Sequence, residues 1–260
     1  MTVGTLYKAI SDDTRLRILA LLSLGSFNVQ ELTLILNATQ SNVSHHLKKL
    51  LDAGLIHFRK EGTWAYYGLA DDDPNSLQYQ VTQNFLQVKD HPEAFGESLT
   101  EPMSSAKKIL EKRRDETRRY FDSVATEWES IREESGGYSH AIESLCSLLP
   151  EEGVLLELGC GSGSVLKQLL PRRGSTIGVD YSPAMLDEAK KALSPFNVDL
   201  RLGYLEHLPI PDKSVDYAIS HMVFHHIAHP PDALRDIFRV LTLGGKLLIV
   251  DLVSHANEYM

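Results

Sequence analysis

The stretch ELGCGSG, Glu157 to Gly163, constrains this chain more than any other feature. It follows a continuous apolar run, GVLLELG, and opens a helical pattern, SGSVLKQLLP. TIGVD, SPAMLDEAKKAL, NVDLRLG, SVDYAIS, PDALRDIFRVL and GKLLIVDLV then continue as strand, helix, strand, strand, helix and strand. Such alternation builds a doubly wound parallel sheet with helices on both faces and ligands at the carboxyl ends of the strands. Gly159, Gly161 and Gly163 permit positive φ and a close backbone approach to a ligand. Asp180 ends the second strand, where a carboxylate accepts two hydrogen bonds from a ribose diol. A strand-end Asp also serves as a helix cap, but Ser182, just before Pro183, takes that role and frees Asp180. The spacing is GxGxG with Glu157 before it, not the GxGxxG of dinucleotide binders. An acid in this turn suits an ammonium group and repels a pyrophosphate. The loop therefore points to an amino-acid-bearing nucleoside.

The first 70 residues follow different rules. In TLYKAISDDTRLRILALLSL the helical pattern breaks near Ser11–Asp13, where Ser11 or Asp12 caps a second helix that Gly25 ends. NVQELTLIL is a third helix with Val29, Leu32 and Leu36 on its buried face. Thr39 caps a fourth, QSNVSHHLKKLLDA, with an apolar stripe of Val43, Leu47, Leu50 and Leu51 and a stop at Gly54. LIHFRK and TWAYYGL are two strands joined at Glu61-Gly62. Helix, turn, helix and hairpin make a winged helix-turn-helix. The exposed face of the fourth helix holds Gln40, Ser41, Asn42, Ser44, His45, Lys48 and Lys49, with Asp52 its single acid. A merely solvated helix mixes in Glu freely. Here Gln40, Ser41, Ser44 and His45 suit base edges, and Lys48 and Lys49 suit phosphates.

The net charge of −9 alone argues against nucleic acid. Its distribution does not, because residues 1–70 carry seven Lys/Arg against five Asp/Glu and the local field governs DNA binding. No run approaches the ~18 apolar residues of a membrane span, and the N-terminus lacks an apolar signal core. Two cysteines, Cys146 and Cys160, exclude a disulfide scaffold and a thiolate zinc site and fit a reduced, cytoplasmic protein. His221, His225, His226 and His229 are joined by no acid or thiol within their segment, so no metal site is expected.

Between the two modules lies an acidic, proline-punctuated stretch, 71–102. Leu77, Val81, Phe85 and Val88 stand there at helical spacing. Residues 104–134 read as one long helix, basic and solvated in its first half, with i,i+4 charge pairs. An apolar stripe of Tyr120, Phe121, Val124, Trp128 and Ile131 follows, and Gly136-Gly137 ends the helix. The expected domains are 1–72, a helical dimerisation and linker region at 73–135, and 136–260.

DDTRLRILALL, QSNVSHHLKKLLDAGLI and RKEGTWAYYGL resemble an ArsR-type (arsenic-repressor-like) winged-helix regulator over residues 5–70. The resemblance implies a homodimer, dimerised through a helix at 77–88, on double-stranded operator DNA. Metal sensing through a cysteine pair is not carried over, because NVQELTLIL has no cysteine. ELGCGSG, GVDYSPAML, GYLEHLPIPDKSVDYAIS and VFHHIAHPPDALRDIFRVLTLGGKLLIVD resemble a class I S-adenosylmethionine-dependent methyltransferase, and YFDSVATEWE resembles the helix that precedes that fold. This second resemblance covers 117–260. It implies a methionine site at Glu157, Gly159, Gly161 and Gly163, and a ribose site at Asp180 and Tyr181. It also implies an adenine site at Tyr204 and Leu205, with Ser220 and His221 near the transferred methyl. Many relatives have an acid where this chain has Tyr204; the tyrosyl oxygen or backbone groups would accept the adenine hydrogen bond in its place. Seven strands are usual, and five are legible here, so the sheet is abbreviated or the chain truncated. An uncovered KLLIVDLV is an aggregation hazard.

The leading expectation is a DNA-binding transcriptional regulator whose methyltransferase-like domain binds S-adenosylmethionine or S-adenosylhomocysteine as effector. The rival is an active methyltransferase on a small molecule, with His221 as acceptor base and an autoregulatory DNA-binding module. Arsenite as acceptor is disfavoured because it calls for several soft thiolates.

Overall fold

A computed structural model describes residues 2–70, 73–88, 99–134, 142, 148–150, 152–170 and 175–252. Cys146 and the Gly136-Gly137 stop lie outside the described residues. The contacts divide the chain into two compact units, with the division between Arg113 and Arg114.

In the first unit, local chemistry sets the helix ends. Thr2 caps α1 (Val3–Ile10), and Asp12 caps α2 (Asp13–Leu22) by accepting from the Arg15 amide. Arg15 is buried and turned back, donating from Nη2 to the Lys8 carbonyl at 3.0 Å and from Nε to the Ala9 carbonyl. It thereby satisfies carbonyls that the end of α1 leaves open. The α2 C-cap is Ser23, two residues before the Gly25 stop read from the sequence. After β1 (Phe27–Asn28), Asn28 and Glu31 form a reciprocal capping box on α3 (Val29–Leu36). The fully buried positions of α3 are Leu32 and Ile35, while Val29 and Leu36 pack at the core's margin.

Thr39 caps α4 (Gln40–Asp52), which buries Val43, His46, Leu47 and Leu50 and leaves Leu51 half-exposed. Gly54 follows at φ 60°. Strands β2 (Ile56–Glu61) and β3 (Trp64–Leu69) pair antiparallel with Glu61 opposite Trp64. The tight turn is therefore Gly62-Thr63, one residue later than Glu61-Gly62, with the positive φ of 56° falling on Gly62. β1 adds to the far side of β3. Helix α5 (Leu77–Val88) and the start of α6 (Thr100–Val124) contribute Phe85 and Ala106 to the same core.

The expected single helix over 104–134 is two. α6 stops at Val124, a turn spans 125–127, and α7 (Trp128–Glu134) begins anew. Val124 and Thr126 are β-branched and weaken the helix there. Buried Ala125 fits the turn, and Glu129 is held by a hydrogen bond from the Ser162 hydroxyl. The basic half of α6 also departs from a solvated helix. Arg113 pairs with Glu31 of the capping box, donates to the Ser26 carbonyl at 2.9 Å, and lies 4.9 Å from the Tyr66 ring centre.

Among the described residues, the second unit holds a five-stranded, wholly parallel sheet. Its strands are β4 (Val154–Leu158), β5 (Ser175–Asp180), β6 (Val198–Leu202), β7 (Val215–His221) and β8 (Leu241–Val250). They stand in the order β6-β5-β4-β7-β8. Helices α8 (Ser164–Leu169) and α9 (Pro183–Ala192) cover one face through Leu166, Leu186 and Ala189. Helix α10 (Pro230–Val240) covers the other through Ala233, Ile237 and Val240. The strand order reverses at β4, which lies between β5 and β7. A crevice opens at that reversal, above the carboxyl ends of the strands. β8 is an edge strand among the described residues.

Candidate ligand pocket and nucleic-acid interface

The Gly loop leaves β4 at this reversal. Gly159, Gly161 and Gly163 take φ of 68°, 52° and 81°, conformations costly for other residues. The three differ in surroundings. A Cβ on Gly159 would meet Val223 at 2.6 Å, and one on Gly163 would meet Leu193 at 2.8 Å. One on Gly161 would meet nothing within 4 Å. Gly163 thus serves the packing of α8 against α9, while Gly161 faces open space in a cavity of about 260 Å³.

Glu157, Gly159, Gly161, Asp180, Tyr181, Tyr204, Leu205 and His221 all line that cavity. Ser220 does not. It is fully buried one residue before the end of β7, and its Oγ has no hydrogen-bond partner among the described residues. Asp180 is less free than its spacing suggests. Its Oδ2 accepts from the Gly161 amide at 2.8 Å and its Oδ1 from the Ser182 amide at 2.8 Å. Ser182 does cap α9, accepting from the Met185 amide. Asp180 thus ties the Gly loop to the turn after β5 and keeps further lone pairs for a ligand.

Charge in the cavity is unbalanced. Glu157 is 2% exposed and its Oε2 has no hydrogen-bond partner among the described residues. Burial, then the Asp180 charge beside it, pushes its carboxyl well above the usual carboxylate range. Burial also raises Asp180, and it raises the Cys160 thiol, which makes that loop cysteine a poor nucleophile. Arg132 also lines the cavity; it pairs through Nη2 with Glu129 at 2.8 Å, while its buried Nε has no hydrogen-bond partner among the described residues. An orphaned carboxylate oxygen and an orphaned guanidinium N–H in one cavity match the ammonium and carboxylate of an amino acid. The residues present therefore fit an aminoacyl nucleoside.

The rest of the wall is aromatic. Phe121 lies edge-on to Trp128 (5.2 Å between centres), His226 (5.3 Å) and Tyr181 (6.4 Å). Arg114 stacks over Tyr204 at 4.5 Å. Burial, then its neighbour His225, holds the His226 imidazole down at about 4. Burial, then the Arg132 charge, lowers His221 as well. Arg114, Arg132 and His225 also line the cavity, and no motif in the sequence marks them for it. The signal for Arg132 was present in its place on the aromatic stripe's helix.

In the first unit, Gln40, Ser41, Ser44, His45, Lys48 and Lys49 are all exposed on α4, while His46 is buried. Burial holds the His46 imidazole below its ordinary range, against the pull of the Asp12 carboxylate 3.4 Å away. One continuous helical face thus presents short polar groups ahead of two cations. Among the described residues no helix is long and apolar enough to cross a membrane, and no cluster of side chains could hold a metal ion.

Residues 12–57 match the family model of the bacterial regulatory protein, arsR family, and residues 156–249 match that of a methyltransferase domain. An uncharacterized 37.1 kDa protein in transposon TN4556 of Streptomyces fradiae is 31% identical over 134 residues, which cover 50% of this chain and 37% of that protein. An arsenite methyltransferase of Halobacterium salinarum is 34% identical over 120 residues, 44% of this chain and 30% of the relative. A demethylmenaquinone methyltransferase of Chlamydia trachomatis is 33% identical over 145 residues, 53% of this chain and 62% of the relative. The chain thus spans between 30% and 62% of these relatives' own length.

Proposed function

From a chain that joins an arsR-family regulatory segment to a methyltransferase domain, we propose a cytoplasmic transcriptional regulator with an adenosyl effector. It binds operator DNA as a homodimer through α4, and S-adenosylmethionine or S-adenosylhomocysteine occupies the β4 crevice. The observation that carries this reading is that Glu157 Oε2 and Arg132 Nε, both buried and without a hydrogen-bond partner among the described residues, line one cavity with Asp180 and aromatic rings.

Glu157 holds the ligand's ammonium and Arg132 its carboxylate. Gly159 and Gly161 allow close backbone approach, and Asp180 accepts from the ribose hydroxyls. Tyr181, Tyr204 and Leu205 flank the adenine, with the Arg114 guanidinium stacked on the Tyr204 ring. S-adenosylmethionine supplies an electrophilic methyl carbon on a sulfonium, and S-adenosylhomocysteine lacks it. Phe121 and Trp128 keep water from the crevice.

As an effector, the ligand must bind the DNA-competent and DNA-incompetent states with unequal affinity. A tenfold change in operator affinity corresponds to ~1.4 kcal/mol of coupling. The test is calorimetric titration of both adenosyl ligands with and without operator DNA at fixed salt. Binding without any change in operator affinity removes the effector role and leaves the methyltransferase reading. That second reading is favoured by one observation, the carboxylate-backed His225 at the cavity wall.

A further inference from the structure

We propose that His225, held by Asp251, is the general base of a methyl transfer to a phenolic hydroxyl group. The inference rests on the reading of the cavity as an adenosyl-ligand site.

Asp251 follows β8, and its two oxygens do different things. Oδ2 accepts from the backbone amides of Val223 at 3.1 Å and Phe224 at 2.7 Å, fixing the turn after β7. Oδ1 lies 2.6 Å from Nδ1 of His225. Against the cost of burial, the Leu252 amide and His225 hold the Asp251 carboxyl below its ordinary range, so it is ionised and Nδ1 is the donor. That assigns the basic lone pair of the neutral ring to Nε2. His225 lines the cavity and is 30% exposed, within reach of an acceptor. His226, 3.9 Å away ring to ring, is kept neutral, and burial, then the Arg132 cation, lowers His221. The Asp251 carboxylate at Nδ1 leaves Nε2 of His225 as the atom that takes up the proton.

A carboxylate-backed imidazole is of use to an acceptor that must lose a proton to become nucleophilic. Neutral amines and readily ionised thiols gain little from it, whereas a phenol gains much. The aromatic wall of Phe121, Trp128 and His226 suits a flat ring. In the step, the phenolic oxygen bonds to the methyl carbon while the carbon–sulfur bond breaks and its electron pair stays on sulfur. The phenolic proton passes to Nε2 and then to solvent. The products are an aryl methyl ether and S-adenosylhomocysteine.

The probe is 4-nitrophenol, whose ionised form absorbs visible light, added to the full chain saturated with S-adenosylhomocysteine at mildly acidic pH. Wild type is expected to show the nitrophenolate band on binding. His225→Ala and His225→Asn are expected to bind S-adenosylhomocysteine as wild type does, yet lose the band. His225→Asn retains an amide for Asp251, so a purely structural role would leave the band in place. With S-adenosylmethionine, the wild type forms the methyl ether. Both variants fall by ~10²–10⁴-fold, and added imidazole restores His225→Ala. Failure of the wild type to bind S-adenosylhomocysteine overturns the site reading itself. Normal binding with no band, no ether, or undiminished transfer in the variants overturns the base alone.

Discussion

At the residue scale, Glu157 and Asp180 set the pH response of the crevice. Burial and the Asp180 charge raise the Glu157 pKa in the free protein. A bound ammonium favours the carboxylate, so binding lowers that pKa and releases a proton. Affinity for S-adenosylhomocysteine should therefore climb with pH up to the raised free value and level off above it. Calorimetry in buffers of different ionisation enthalpy reads the released proton, and Glu157→Gln should flatten the profile. A profile already flat in the wild type removes Glu157 from the ammonium site. Asp180→Ala should weaken the adenosyl ligand by ~1–3 kcal/mol, while NADH should fail to compete. Competition by NADH would mean that the loop holds a pyrophosphate after all. The spacing exposed both acids, but it could not tell that Asp180 is already tied to Gly161 and Ser182. Nor could it bring Arg132 and Glu157 to one cavity, since those side chains come from a helix and a strand that meet only in the fold.

At the element scale, α4 and α3 have separable duties. α4 presents Ser44 on an exposed face, so Ser44→Glu should abolish operator binding with little change in thermal stability. A gel-shift or anisotropy titration at fixed salt reads the first, and a melting curve reads the second. Unchanged operator affinity would take α4 out of the groove. On α3, Asn28→Ala removes the capping box and should cost ~1 kcal/mol of stability in denaturant titration. A loss well below that would mean that Arg113, through Glu31 and Ser26, holds the helix start unaided. His46 adds a pH response of its own. Its folded pKa is depressed by burial, so protons favour the unfolded chain. Stability of this unit should fall as pH drops below the unfolded value of ~6.5, and His46→Gln should lessen that fall. The caps Asp12, Thr39 and Ser182 were legible because each is a short polar residue ahead of an apolar period. The interruption at 125–127 was not, because the apolar spacing of Phe121, Val124, Trp128 and Ile131 stays in phase across it.

At the scale of the whole molecule, the question is whether ligand in one unit changes DNA affinity in the other. Trp128→Ala trims the aromatic wall of the ligand cavity. It should lower or abolish the ligand's effect on operator binding and leave ligand-free operator affinity intact. Operator titrations with and without saturating S-adenosylhomocysteine measure both numbers, and a wild type indifferent to ligand ends the effector reading. What the sequence by itself determined is the local and periodic part of this protein. Apolar periods, caps and glycines are nearest-neighbour chemistry, and they specify a winged helix-turn-helix, a five-strand parallel sheet and the loop at its reversal. What only the tertiary structure decided is which distant groups meet. Examples are Arg113 with Glu31 and Asp251 with His225, and the gathering of Arg132 and Glu157 around one cavity. No sequence period encodes such pairs, because their energy depends on burial and on angstrom-scale distance, and both exist only once the chain has packed.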